Sequence, residues 1–406
     1  MTNRICIFVA DSNGGYPVPA SKGGAVSTLV ELLLAGNNKK HLCDMTIVTY
    51  YDRNAFEMSK KYASIRFEWI RIPRIVRLAD KLIFCILSKC TKIKASSFKS
   101  ILALLLFTMK SSLLIRKNRY DTVVLEHNIP MVWMLIWSGY KGKYYHHLHN
   151  LPRTNAKCRN GLHKCDGFVC ISQFMVENIR RKDCPIGPVD TSKIRLLYNC
   201  IDTKLFKPID NYYQMYDKQD FGIHPNSKVV IFAGRITWEK GVDKLLESLN
   251  YINHPDVYLL IVGASINESN NDPYSNQLKR ISNKNKDKIR FTGYIDHSEL
   301  PYLYNMADIA VLPSMWEEPA GLTMLEAMAC GTPVITTRSG GIPEYVGDSA
   351  IILNRDDDLP QNIALNIDIL LNNRELYMSY SRNGVKRIRE MFDSVNYIDK
   401  FMEVIS

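Results

Sequence analysis

No apolar run of this 406-residue chain approaches the ~20 residues that a membrane-crossing helix needs; LIFCIL at 82–87 and ILALLLF at 101–107 fall far short. Acidic residues are scarce in the first half. Residues 1–200 hold 31 Lys and Arg against 13 Asp and Glu, a formal +18, whereas 201–406 hold 21 against 28, a formal −7. The scarcity is sharpest across 71–119, where twelve basic residues face one acid, Asp80. There is no cysteine framework either. Among the ten cysteines, Cys6, Cys43, Cys170 and Cys330 sit inside apolar runs, where free Cys packs as a small hydrophobe. The spacing of Cys158, His163, Cys165 and Cys170 fits no ordinary zinc pattern. Internal repeats and low-complexity runs are also missing. The opening MTNRICIFVADSN reads as a first strand and not as a signal peptide, because Asp11 and Gly14 follow within a few residues. A reducing cytosol is the setting expected for such a chain.

With 46% apolar residues, the chain can bury substantial cores, and its length suits two α/β domains of roughly 200 residues each. Short β-branched runs alternate with helical patterns: RICIFVA (4–10), the helix AVSTLVELLLAG from Ala25, DMTIVTY (44–50), YDTVVLEH (120–127), KYYHHLH (143–149), DGFVCIS (166–172) and KIRLLYN (193–199). After a linker at 200–227 the alternation resumes with KVVIFAG (228–234), VYLLIVG (257–263) and IRFTGYI (289–295). Such alternation predicts parallel sheets. The basic stretch 71–119, with interleaved apolar stripes, suits a helix lying on an anionic membrane surface. Its basic character alone does not point to nucleic acid, since no recognition motif accompanies it.

The most informative stretch is Trp316 to Asp348, WEEPAGLTMLEAMACGTPVITTRSGGIPEYVGD. The run ADIAVLP before it reads as a buried strand, and GLTMLEAMA after Pro319 is rich in helix formers. Glu318 is thus expected on a strand-to-helix turn, with Glu326 about two turns into the helix. The backbone N–H groups of Ala320 to Thr323 would form an open helix N-terminus, which suits an anion. Carboxylates beside it can accept hydrogen bonds from hydroxyls. Phosphates together with hydroxyls describe a nucleotide sugar. The Gly331-Thr332-Pro333 and Gly340-Gly341-Ile342-Pro343-Glu344 turns lie where an open α/β sheet places its ligand.

These residues carry a family resemblance. EPAGLTMLEAMACGTPVI followed by SGGIPE resembles the signature of the family 4 retaining glycosyltransferases. AGRITWEKG (233–241), FTGYI (291–295), NCIDTKLFKP (199–208) and KGGA (22–25) match further family elements in order. The resemblance implies an α/β fold of GT-B type, two Rossmann-like parallel-sheet domains facing a central cleft. Residues 1–205 would bind acceptor, 206–389 would bind nucleotide sugar, and a helix at 390–406 would cross back to the first domain.

The resemblance also implies site roles. Arg235 and Lys240 match the diphosphate-binding pair, with Gly234 preceding Arg235. Glu318 would bind donor-sugar hydroxyls and support an oxocarbenium-like centre, and Glu326 the nucleotide ribose. The amides of Gly321, Leu322 and Thr323 would approach sugar and phosphate, and Tyr294 and Ile295 would flank the base. Gly23 and Gly24 would let the backbone approach the donor phosphates, since a Cβ would obstruct it. His149, at the end of the HHLHN strand, aligns with the family's sugar-contacting histidine, and His127 is the second candidate. No metal and no cofactor are expected. Asp356-Asp357-Asp358 could be mistaken for a metal-binding Asp-x-Asp motif, but it precedes an apolar helix pattern, where acids suit the helix dipole.

The function implied is same-face, retaining transfer from a UDP-, GDP- or dTDP-sugar to a glycan or lipid-linked saccharide acceptor. Such chemistry belongs to cell-envelope, capsule, lipopolysaccharide or exopolysaccharide synthesis, carried out peripherally at the inner face of the plasma membrane. Two rivals remain open. One is a related enzyme with a soluble acceptor, of glycogen, sucrose or trehalose type. The other is a catalytically silent sugar-nucleotide-binding or coat protein.

Overall fold

The computed structural model describes residues 3–10, 16–90, 99–264 and 273–406, with the side chains of 88–90 excepted. The expectation resting on Asp11 and Gly14 therefore lies outside the described residues, as do Lys92 and Lys94 of the basic stretch. The chain divides into two compact units, Met1–Tyr198 with Ser394–Ser406, and Asn199–Asp393.

Unit 1 runs β1 (Arg4–Val9), α1 (Ala25–Lys40), β2 (Asp44–Tyr50), α2 (Arg53–Ser59), β3 (Arg66–Ile70), α3 (Arg74–Cys90), α4 (Ile101–Lys117), β4 (Thr122–Glu126), α5 (Val132–Ser138), β5 (Lys143–Leu148), α6 (Arg159–His163), β6 (Gly167–Cys170), α7 (Gln173–Arg180) and β7 (Ile194–Leu196). Its seven strands are parallel in the order β3-β2-β1-β4-β5-β6-β7. β1 and β4 are apolar along almost their whole length because helices cover both faces of such a sheet, and Ile5, Ile7, Val123 and Val124 are fully buried.

Unit 2 runs β8 (Lys228–Ala233), α8 (Val242–Ser248), β9 (Val257–Val262), α9 (Pro273–Lys284), β10 (Ile289–Gly293), α10 (Leu300–Met306), β11 (Ile309–Leu312), α11 (Leu322–Ala329), β12 (Val334–Thr337), α12 (Ile342–Val346), β13 (Ile351–Leu353), α13 (Leu359–Asn372) and α14 (Arg374–Met391). Its six strands are parallel in the order β10-β9-β8-β11-β12-β13. Strand order reverses between β8 and β11, and a crevice opens at the carboxyl ends of strands at such a switch point. The loops leaving β8 and β11 carry Arg235 and Glu318 respectively.

Several expectations need correction. The first division falls at 198/199 and not at 205/206: Asn199 N donates to the Tyr345 hydroxyl at 3.0 Å and Ile201 N to Phe392 O at 2.9 Å, which ties this stretch to unit 2. Residues 390–406 are not one helix. α14 ends at Met391, and α15 (Tyr397–Val404) forms after a turn, within unit 1. There Ile398 packs so closely on α1 that a Cβ added at Gly36 would lie 2.7 Å from Ile398 Cγ2. The edge strands β3 and β13 and the helix α2 were not anticipated. β3 begins exposed at Arg66, is half-buried over the next three residues and is buried only at Ile70, so it lacks the buried continuity of the central strands. Glu326 is the fifth residue of α11, little more than one turn into it.

Candidate functional site

In unit 2, three side chains converge where β11 gives way to α11. The Lys240 ammonium forms an ion pair with Glu318 Oε1, and Ser314 Oγ donates to the same oxygen at 3.0 Å. The backbone fixes this geometry. Gly341 N donates to Glu318 O at 2.7 Å, and Gly340 has φ +53°, where a Cβ would overlap Glu318 O. Only glycine meets both demands at 340. On the other side, Gly241 has φ +66° and follows Lys240, and a Cβ there would overlap Pro313 O. Met315 N donates to Glu239 O at 2.8 Å, joining the loop after β11 to the turn that carries Lys240. The glycines of SGGIPE and EKG therefore hold the carboxylate and the ammonium in register.

Beside this pair, α11 begins without a side-chain cap at Gly321 and without an acid in its first turn. The N–H groups at its N-terminus, with Leu322 and Thr323 as its first residues, form a positive end suited to an anion. Arg235, in the loop leaving β8, is exposed and forms no ion pair among the described residues. Gly234, with φ +151°, makes the turn that carries it.

Glu326 is buried on α11, and its Oε1 accepts a hydrogen bond from His297 Nε2 at 2.7 Å. Its Oε2 has no partner within hydrogen-bonding distance among the described residues. Burial works against the charge of His297, but the charge of Glu326 and its hydrogen bond outweigh that and raise the imidazole pKa. Burial and the Glu326 charge push the Tyr304 phenol well above its ordinary value. Tyr294 is exposed after β10, its hydroxyl 3.3 Å from Asp296 Oδ1, and Ile295 is half-buried. Glu317, next to Glu318, pairs with Arg355 and accepts from Gly340 N at 2.6 Å, which braces the same turn.

Unit 1 holds a second cluster, at the carboxyl ends of β4 and β5. Parallel register sets Glu126 opposite His147. His149 Nε2 donates to Glu126 Oε2 at 2.7 Å, and His147 Nδ1 lies 3.1 Å from the same oxygen. All three residues are buried. Burial opposes the carboxylate charge, yet His147 and then His149 hold Glu126 well below the usual carboxylate range. Burial, reinforced by His147, lowers the His149 pKa. A neutral His149 that donates through Nε2 leaves Nδ1 as an acceptor, and that buried atom has no partner. The three ligand atoms lie within 4.8 Å of one another, which makes this the one described group with the donors for a metal ion. Cys158, His163, Cys165 and Cys170 form no such group among the described residues. Instead, Cys158 Sγ donates to Asn155 O at 2.9 Å and Cys165 Sγ to Gly167 O at 3.1 Å.

His127 adopts φ +66° after β4, and its N–H donates to His147 O at 2.8 Å. Its imidazole makes no hydrogen bond to Glu126; His146 Nε2 lies 3.2 Å from the His127 carbonyl oxygen instead. Gly23 and Gly24 precede α1 with φ +69° and +98°. A Cβ at Gly24 would meet Tyr16 Cδ1 at 3.2 Å, whereas at Gly23 it would meet nothing within 4 Å, so Gly23 is required by conformation and not by space. Asp356, Asp357 and Asp358 lie in the turn before α13, where Asp358 provides no side-chain cap.

Lys240 and Glu318, read in the sequence as serving different parts of a ligand, are thus one ion pair. Ser314, His297, Glu126 and the Glu317–Arg355 pair were missed. Glu126 alone carried a signal, a charge ending the apolar strand VVLE one residue before a histidine.

Comparison with known proteins bears on both units. Residues 215–387 match the family Glycosyl transferases group 1, and residues 23–205 match Glycosyltransferase Family 4. Spore coat protein SA of Bacillus subtilis is 33% identical over 248 residues, 56% of this chain and 64% of that protein. Mannosylfructose-phosphate synthase of Agrobacterium fabrum is 31% identical over 196 residues, 47% of this chain and 42% of the enzyme. The chain thus spans less than two thirds of the length of these relatives. Anabaena HepE, solved in complex with UDP and glucose, superposes with a TM-score of 0.71 at 17% identity, covering 99% of this chain and 98% of that one. That likeness is one of fold, GT-B. With each unit matched by its own half of one family, and the EPAGLTMLE turn built as described, the chain belongs to the group 1 glycosyltransferases of family 4.

Proposed function

We propose that the protein transfers a glycosyl group from a nucleoside diphosphate sugar to a hydroxyl of a glycan acceptor carried on a membrane lipid, with retention of configuration and without a metal ion. The observation that carries this reading is the Lys240–Glu318–Ser314 cluster beside the uncapped N-terminus of α11. In the reaction the bond from the anomeric carbon to phosphate breaks, and its electron pair leaves with the nucleoside diphosphate. The acceptor oxygen bonds to that carbon, and its proton passes to the departing phosphate. Negative charge develops on the leaving group, where Lys240, Arg235 and the amides of Leu322 and Thr323 stabilise it. Glu318 accepts from sugar hydroxyls, and Glu326, through Oε2, from a ribose hydroxyl. In unit 1, His149 offers Nδ1 as an acceptor for a hydroxyl, and Gly23, where a Cβ would meet nothing within 4 Å, leaves its backbone open to an anion. The UDP complex of HepE supports a nucleotide donor by analogy.

A panel of UDP-, GDP-, dTDP- and ADP-sugars, with and without EDTA, tests the reading by thermal stabilisation and by the anomeric configuration of the product. A ligand at 100 times its dissociation constant should add ~2.7 kcal/mol. An EDTA-insensitive shift and a retained configuration are expected; inversion, or dependence on added metal, would overturn the mechanism. The similarity to a spore coat protein favours one rival, a sugar-nucleotide binder without turnover, which would show the shift and no product.

A further inference from the structure

α3 carries an apolar stripe on its solvent side. Ile75, Leu78, Leu82 and Ile86 follow one another at helical spacing and are between 53% and 75% exposed. Arg74, Arg77 and Lys81 each precede one of the first three by a single position, so a basic stripe runs alongside the apolar one; all three are exposed, and none forms an ion pair among the described residues. α4 packs against α3 and exposes Ile101, Leu105, Met109 and Leu113 in turn. The single acid of 71–119 does not oppose this charge. Asp80 is buried, its carboxylate accepting Leu102 N at 2.8 Å and Ala103 N at 3.0 Å at the start of α4. No acid within the described part of 71–119 is therefore exposed.

From this arrangement we infer that α3, with α4 beside it, lies on an anionic bilayer, the apolar stripe entering the interface and Arg74, Arg77 and Lys81 meeting lipid headgroups. A second copy of the chain is the poorer occupant, since a two-fold interface would set this basic face against itself. Nucleic acid would leave the apolar stripe in water. No helix of the described residues is long and apolar enough to cross a membrane, so the contact is with one surface. The inference rests on the reading of a membrane-borne acceptor for its biological purpose.

The test is flotation of the full chain with phosphatidylglycerol-containing and with pure phosphatidylcholine vesicles, alongside UDP-induced thermal stabilisation of the same preparations. Wild type should float with the anionic vesicles only, and less so at high salt. The double variant Leu78→Ser/Leu82→Ser should bind them roughly tenfold or more weakly, as loss of two inserted apolar side chains implies. Arg74→Gln/Arg77→Gln/Lys81→Gln should weaken binding comparably at low salt. All three positions are exposed in folded protein, and an unchanged UDP shift would report intact unit 2. Equal flotation of the variants, no flotation of wild type, or a lipid-free dimer dissociated by Leu78→Ser/Leu82→Ser would overturn the inference. Vesicle binding without any nucleotide shift would instead sink the transferase reading and leave this surface standing.

Discussion

Lys240 Nζ and Glu318 Oε1 form an ion pair between positions 78 apart in the chain, and Ser314 Oγ shares the same carboxylate oxygen at 3.0 Å. The ammonium and the carboxylate hold each other in place beside the N-terminus of α11. Glu318→Ala should therefore lower turnover by ~10²–10³, the scale of losing one preorganised electrostatic contact. Lys240→Ala should do the same, and the double variant should cost less than the two effects multiplied, because each side chain helps to position the other. Steady-state kinetics on the three variants decide it. Fully multiplicative losses would mean that the two act independently.

Gly340 offers a test of the backbone alone. Its φ of +53° and the overlap that a Cβ would make with Glu318 O oppose any side chain there. Gly340→Ala should destabilise unit 2 by ~1–3 kcal/mol. It should also reduce turnover although no ligand-facing group is removed. Denaturant unfolding and turnover are both measured, and an unaltered midpoint would show that the turn relaxes freely.

The central strands, the two-sheet plan and the Lys240 and Glu318 motifs were legible because each is local: an apolar run, or a glycine beside a functional group. What could not be read depends on pieces brought together by tertiary structure. β3 is an edge strand with no continuous apolar run, and the break between α14 and α15 has no proline or glycine to announce it. Ser314 and His297 matter only through the carboxylates they meet, 4 and 29 positions away. Glu126 reaches His149 across 23 positions because parallel pairing of β4 and β5 sets their carboxyl ends side by side.

That contact gives the third prediction. Glu126→Leu would leave the buried nitrogens of His147 and His149 without their shared acceptor, at a cost of ~3 kcal/mol or more. Glu126→Gln keeps the shape and one acceptor oxygen, so it should fold while freeing the His149 tautomer. Its kcat should fall more than its stability. Equal turnover in Glu126→Gln and wild type would remove Glu126 from any role in orienting His149.

Acid should destabilise unit 1 well before its carboxylates titrate. His146 is fully buried, and desolvation lowers its pKa to about 4; His149, also buried, is lowered too. A histidine whose folded pKa is depressed contributes stability that is present above its unfolded value, ~6.5, and is lost as pH falls towards the folded one. His127 is lowered likewise by burial, to about 3, so below pH ~6.5 the unfolded state binds up to three more protons, a slope of up to ~4 kcal/mol per pH unit. Glu126, also depressed, adds to the loss below ~4.5. His297 titrates in the opposite sense, and its raised pKa confines its effect to pH above ~6.5, in unit 2. Denaturant melts of unit 1 at pH 7.5, 6.5 and 5.5 should show little change over the first step and a clear loss over the second. A midpoint constant down to pH 5 would mean that His127, His146 and His149 protonate in place at no cost, and that none of them is held neutral by burial.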